Sequence, residues 1–295
     1  MGHRPQGVDM LAFDFPRVIR PAVPRRLIRT SDGDTPVVEQ PIRMVSVDTP
    51  EKAGYAGLPT TAQLKLDRTR TRLTDGTFDD LIPEGLRDHL LSRLTADAAE
   101  RHIAAGNRAT VFFEALQERR LTKPGGTRRR TAVIPTGELI DRYGRLLAYL
   151  APWFDGDGDP LPPRDHPDRR TFNLDMVAAG WGAMFLVYPS LPRDPDLKLL
   201  VQDAETAWNE RRGAWAEFGE NLLLAYEYRA CIKLGDRKLA DPKAAVADAY
   251  QRICVDLRDL RVVGEFGYHE VPPSRRLWIW KDDLNQARED LKLPD

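Results

Sequence analysis

Two cysteines, Cys231 and Cys254, are all the chain has in 295 residues, so no framework of cross-links is available. Neither thiol has partners at zinc-ligand spacing, and both fall in stretches that read as helix. Long apolar runs are missing as well. Without the signature of a signal peptide or a membrane span, a cytoplasmic protein with no membrane contact is expected. Net charge is nearly absent: 44 Lys and Arg against 45 Asp and Glu leave −1, which excludes coating of a polyanion by bulk charge. Any contact with nucleic acid must come from local basic clusters. Residues 101–145 hold such a cluster, including the consecutive Arg128, Arg129 and Arg130, which suit either a solvated loop or a phosphate contact. The length leaves room for one large or two small domains with a sizeable core.

What is present concentrates in residues 31–51. Asp32-Gly33 is a turn signal, Val37-Val38 and residues 44–47 are β-type runs, and Gln40-Pro41 separates them, which predicts a hairpin turning near Pro41. Constant-sum pairing then sets Asp34 opposite Asp48, to within about three residues. Two carboxylates so placed repel unless a cation sits between them, and hard oxygen ligands suit Ca²⁺ or Mg²⁺. The Thr49 carbonyl is a further ligand, and Glu51 follows one turn on. Arg43 and Asp48 lie an odd number of residues apart, so a strand brings them together only if it bends near Val47.

These residues resemble the staphylococcal nuclease (thermonuclease) family. The likeness rests on Asp32-Gly33-Asp34-Thr35, on Arg43 followed by Asp48-Thr49-Pro50-Glu51, and on Asp141-Arg142-Tyr143-Gly144-Arg145-Leu146-Leu147-Ala148-Tyr149, in that order. Further matches are Asn173-Leu174 with Val177 and Gly180-Trp181, and Ala204-Glu205 with Gly213-Ala214-Trp215. The resemblance spans residues 24–216 and implies an α+β fold: a five-stranded Greek-key OB-type β-barrel with packed helices. The residues before it, 1–23, read as an arm, and those after it, 217–295, as a mostly helical C-terminal extension.

Five short antiparallel strands are predicted: residues 26–29, the two arms of the hairpin, residues 132–134 and residues 146–150. A helix over residues 97–121 with Ala98, Ala105, Ala109, Phe112 and Leu116 on one face packs on the barrel. Residues 55–95 form an insert with a helix from Pro83-Glu84 to Leu94, and helices are also expected over residues 173–179 and 197–212. The Asp155-Gly156-Asp157-Gly158-Asp159 run lacks the glycine and the closing acid of a Ca²⁺ loop, since Pro160 and His166 stand there, so it reads as a surface loop. In the extension, helices are predicted over residues 221–234 and 242–260 and a short strand over residues 277–280, with Trp278 and Trp280 assigned to packing ahead of base stacking.

By resemblance, Asp34, Asp48 and the Thr49 carbonyl hold Ca²⁺, with Mg²⁺ or Mn²⁺ as substitutes. Glu51 acts on the attacking water, and Arg43 and Arg145 clamp the phosphoryl group of DNA or RNA, leaving 3′-phosphate ends. Arg142 and Tyr143 are secondary substrate contacts and Tyr188 a base-stacking residue. Leu186 stands where the family has the first of two tyrosines, which points to altered base contacts. A non-catalytic barrel that binds nucleic acid or protein is the rival; the retained acids argue against it. The insert or the extension is expected to restrict access or to dock a regulatory protein.

Overall fold

The computed structural model describes residues 24–156 and 158–294; the arm expected over residues 1–23 lies outside them. It consists of two units, divided after Pro41. In the first, strands β1 (Leu27–Asp32) and β2 (Thr35–Val38) form an antiparallel hairpin running from Leu27↔Val38 to Asp32↔Thr35. Residues Gly33 and Asp34 make its turn. Val37-Val38 therefore pairs with β1 and not with residues 44–47, because a two-residue turn closes a shorter loop than one centred on Pro41.

The second unit starts with β3 (Ile42–Met44) and β4 (Ser46–Asp48), which enter different sheets. Ser46 is the reason: its φ of 61° turns the chain at a non-glycine residue. Its hydroxyl lies 2.6 Å from that of Tyr149. The long hairpin β5 (Thr131–Ile140) and β6 (Leu146–Pro152) joins β3 in the order β3-β6-β5. β3 runs parallel to β6, which corrects the all-antiparallel expectation. β4 instead edges a five-stranded sheet, β4-β7-β10-β8-β9, completed by β7 (Ala183–Val187), β8 (Arg252–Asp256), β9 (Arg261–Gly264) and β10 (Arg276–Trp280). The class is mixed α+β. Among the described residues the strands divide over separate sheets and close no barrel.

The extension contributes β8, β9 and β10 to this sheet, so residues on either side of position 216 share one sheet. Its mostly helical expectation fails at one identifiable place. The helix predicted over residues 242–260 stops at Ala249, and Ile253, Cys254 and Val255 form a strand covered on both edges by β10 and β9. Helical spacing of the apolar residues matches there by coincidence, and sheet pairing wins over it. Cys254 consequently lies on a strand, while Cys231 is helical; both are buried free thiols. The predicted strand over residues 277–280 is β10, with Trp278 only 4% exposed.

Helices cover the sheets: α1 (Ala53–Ala56), α2 (Pro59–Arg72), α3 (Glu84–Leu91), α4 (Ala98–Leu121), α5 (Phe172–Ala178), α6 (Asp194–Asn209), α7 (Ala214–Phe218), α8 (Ala225–Leu234), α9 (Pro242–Ala249) and α10 (Leu284–Leu291). The apolar face of α4 packs as its spacing predicts, with Ala105, Ala109 and Leu116 in a core beside Val47, Val255 and Ile279. α2 escapes sequence reading. Only Ala62, Leu66 and Thr69 are buried on it, too few apolar positions to announce a helix. No described helix is long and apolar enough to cross a membrane.

α2, inside the insert, braces α8. The Thr69 hydroxyl donates to the Cys231 carbonyl at 2.5 Å, and Arg68 and Arg72 donate to the carbonyls of Gly235 and Leu234. The two backbones nearly touch: a Cβ on Gly235 would lie 1.9 Å from the Lys65 carbonyl oxygen. Gly235→Ala is therefore expected to cost about 1–3 kcal/mol in urea denaturation, since backbone on both sides leaves nothing soft to move. Gly54→Ala, with nothing within 4 Å, should stay within about 0.5 kcal/mol of the parent. Equal stability of the two variants would show that the α2–α8 approach is not constrained.

Candidate functional site

Arg43 lies on β3 opposite Leu147, and Arg145 immediately precedes β6, the strand with which β3 pairs in parallel. A tight turn presents Arg145. One oxygen of Asp141 accepts the backbone N–H groups of Tyr143 and Arg145, both at 2.9 Å, and Gly144 takes a φ of 77°. The other oxygen accepts from Arg145 Nε at 2.8 Å, and the guanidinium lies 5.3 Å from the Tyr143 ring.

The bend expected near Val47 occurs at Val45–Ser46, and it turns Asp48 toward Arg43. Arg43 Nη2 lies 2.8 Å from Asp48 Oδ1. A second guanidinium, which the sequence did not reveal, completes the arrangement. Arg229 on α8 donates through Nη2 to Asp48 Oδ2 at 2.6 Å, and through Nη1 to Asp48 Oδ1 at 3.2 Å and to Glu51 Oε1 at 2.7 Å. Burial of Asp48 raises its pKa, but Arg229 and Arg43 outweigh this and hold it at about 2. Arg229 is affected in reverse: burial lowers its pKa, and Asp48 and Glu51 more than restore it, so it stays charged.

Glu51 is fixed through its backbone. Its N–H donates to His102 Nε2 at 2.8 Å, and His102 Nδ1 faces the Leu223 carbonyl at 3.1 Å, which assigns the proton to Nδ1. The imidazole stacks on Tyr228 at 3.8 Å, and burial pushes its pKa down to about 3, so the ring is neutral. α4 passes so close that a Cβ on Gly106 would lie 2.6 Å from the Glu51 carbonyl oxygen. Among the described residues Glu51 Oε2 has no partner, which leaves it free to accept a proton.

The remaining predicted residues divide. Asp34 lies in the turn of the hairpin unit, where it accepts the Thr35 hydroxyl at 3.1 Å. Thr49 follows Asp48 with its methyl against Gly182. Tyr143 is 61% exposed, with the Arg142 guanidinium 5.0 Å from its ring. Tyr188 does not suit the stacking role: it is 8% exposed and its hydroxyl donates to Asp290. Leu186, in the neighbouring strand position, is buried too.

As arranged, this donor set does not fit a divalent cation. Both Asp48 oxygens and Glu51 Oε1 already accept from guanidinium groups, and Arg43 and Arg229 balance the two carboxylates. Among the described residues no group of three or more His, Cys, Asp or Glu is arranged to hold a metal ion. The positive charge between Asp48 and Glu51 is organic.

The buried imidazole gives a pH signature. A folded-state pKa of about 3, below the ordinary 6.5, means that the unfolded chain binds the extra proton first as pH falls. Stability should be fully present above pH 6.5 and decline from there toward pH 3, by about 1.4 kcal/mol per unit. The Asp48 contribution is lost separately, between the ordinary carboxylate value of 3.8 and about 2. Urea denaturation of the wild type and of His102→Gln across pH 4–7 checks this: the slope should vanish in the variant. An unchanged slope would assign it to other groups.

No family model matches this chain, and no curated protein matches it, so its function has to be argued from the chemistry of these residues.

Proposed function

We propose that the protein hydrolyses phosphodiester bonds in DNA or RNA. The observation that supports this is the network in which Asp48 pairs with Arg43 and Arg229 and Arg229 pairs with Glu51, with Arg145 at the start of the strand beside β3. Two guanidiniums offer paired N–H groups to the oxygens of a phosphodiester and meet the charge that grows there in the transition state. The free Oε2 of Glu51 takes the proton of the attacking water. Water bonds to phosphorus and the P–O bond to the leaving alkoxide breaks; the family resemblance implies the 5′ oxygen as leaving group and a 3′-phosphate product. Asp48 holds Arg43 and Arg229 in place, and Arg229 supplies positive charge beside Glu51. The Ca²⁺ that the resemblance implies is given no step, because its ligands are taken.

One observation favours a second function, a non-catalytic nucleic-acid binding module. Acids beside a polyanion have no use in a binder unless they hold something, and here they hold Arg229. The two are separated by incubating labelled single- and double-stranded DNA and RNA with the protein in Ca²⁺, Mg²⁺ or chelator. For a hydrolase, Arg145→Lys should lower turnover by about 10³ or more with affinity little changed, because lysine lacks the planar fork. Glu51→Gln should lower turnover by about 10²–10⁴. Retained binding with no cleavage under any cation would leave the binding module. Cleavage in chelator means that Arg229 suffices as the local charge, whereas a strict Ca²⁺ requirement means that the ion displaces it.

A further inference from the structure

Arg252 opens β8, and no carboxylate pairs with its guanidinium among the described residues. Among the described residues it makes no ion pair and no hydrogen bond, and its Nε is buried without an acceptor. Instead it lies on aromatic rings, 3.9 Å from the Trp280 centroid and 5.4 Å from that of Phe185. Its neighbours share its sign. Burial lowers its pKa to about 10, with Arg229, Arg142 and Arg43 acting in the same direction against Asp48. It remains protonated at neutral pH, so a half-buried positive charge is held among positive charges with its buried Nε–H unspent. A buried donor without an acceptor, on a cation without an internal counter-ion, suits an anion.

The position of Arg252 indicates which anion. Cation–aromatic contacts run in one chain from Arg145 to Tyr143 (5.3 Å), Tyr143 to Arg142 (5.0 Å), Arg142 to Trp280 (5.8 Å) and Trp280 to Arg252 (3.9 Å). Arg142 is steadied by Gln251, the residue before Arg252, at 3.4 Å. The line starts at a proposed phosphoryl clamp and alternates guanidinium with aromatic ring, the composition of surfaces that track a nucleic-acid strand. We propose that Arg252, with Arg142, binds a second phosphate group, next along the strand from the one held by Arg43 and Arg145. This rests on the nucleic-acid reading of the Arg43–Arg145 site but not on cleavage. It assigns the extension a substrate-binding role, through β8 and β10.

Arg252→Gln removes the charge and keeps an amide over Trp280. The probes are a fluorescein-labelled oligothymidylate, followed by anisotropy over a salt series, and inorganic phosphate, followed by thermal unfolding. The variant should bind the oligonucleotide about tenfold more weakly. Its log–log salt dependence should be shallower by about 0.7, the slope carried by one phosphate of a single strand. Its thermal midpoint without ligand should change little, since no internal hydrogen bond or ion pair is lost and relief of like-charge repulsion offsets the lost cation–aromatic contacts, and this separates a binding role from a structural one. If the variant loses phosphate stabilisation but binds oligonucleotide like the wild type, the site takes free phosphate and not a strand, and the strand assignment falls. Equal affinity, salt slope and phosphate stabilisation in both proteins would overturn the proposal altogether. Failure of the wild type to cleave would leave these binding results intact, so the two ideas fail separately.

Discussion

The bridge from Arg229 to Asp48 and Glu51 is what the rest of the site depends on. It joins residues 181 positions apart in the chain and satisfies a carboxylate that is 2% exposed. Burial of such a group is tolerable only with full compensation; breaking a buried pair of this kind typically costs about 3–5 kcal/mol because a bare charge remains. Three separate devices converge to keep the geometry. Ser46 turns the chain so that Asp48 faces Arg43, His102 pins the Glu51 amide, and α8 delivers Arg229 from the far side.

α8 is itself held at both ends. Glu227 accepts the Leu224 N–H at its start, at 3.0 Å, and meets His89 on α3 at 2.8 Å, while its last turn is clasped by α2. Both α2 and α3 belong to the insert. Insert and extension therefore act as one structure: the insert braces the helix, and the helix carries the guanidinium. Insert and extension thus divide the labour: the extension supplies Arg229 and the insert holds its helix in place.

Local features were legible in the sequence and remote ones were not. The Asp141–Arg145 turn spans four residues, and its carboxylate, glycine and arginine follow from turn chemistry wherever the chain goes. α4 declared itself through the spacing of its alanines and Leu116. Arg229, by contrast, is one arginine on an amphipathic helix, and nothing near it in sequence hints at a partner near position 48. His102 and Gly106 likewise matter only because the Glu51 backbone crosses α4 there. β8 was misread because Val246, Ala249, Ile253, Leu257 and Leu260 fit a helical period, while the strand's two partners are not evident from that spacing. Tyr188 was misassigned because aromatic identity says nothing about burial, and its acceptor, Asp290, is 102 residues away.

The central strand of the large sheet is made long after one of the strands it joins. β10 lies between β7 and β8, although it comes almost 90 residues after β7 in the chain, which is about a third of its length. On a ribosome adding roughly 5–20 residues per second, Asp48 and Glu51 leave the exit tunnel many seconds before Arg229, and β4 and β7 wait longer still for the strand that supports β8. An unfinished chain thus carries the acids without their counter-charge and a sheet without its middle. Interrupted translation therefore yields fragments in which this arrangement of charges cannot assemble.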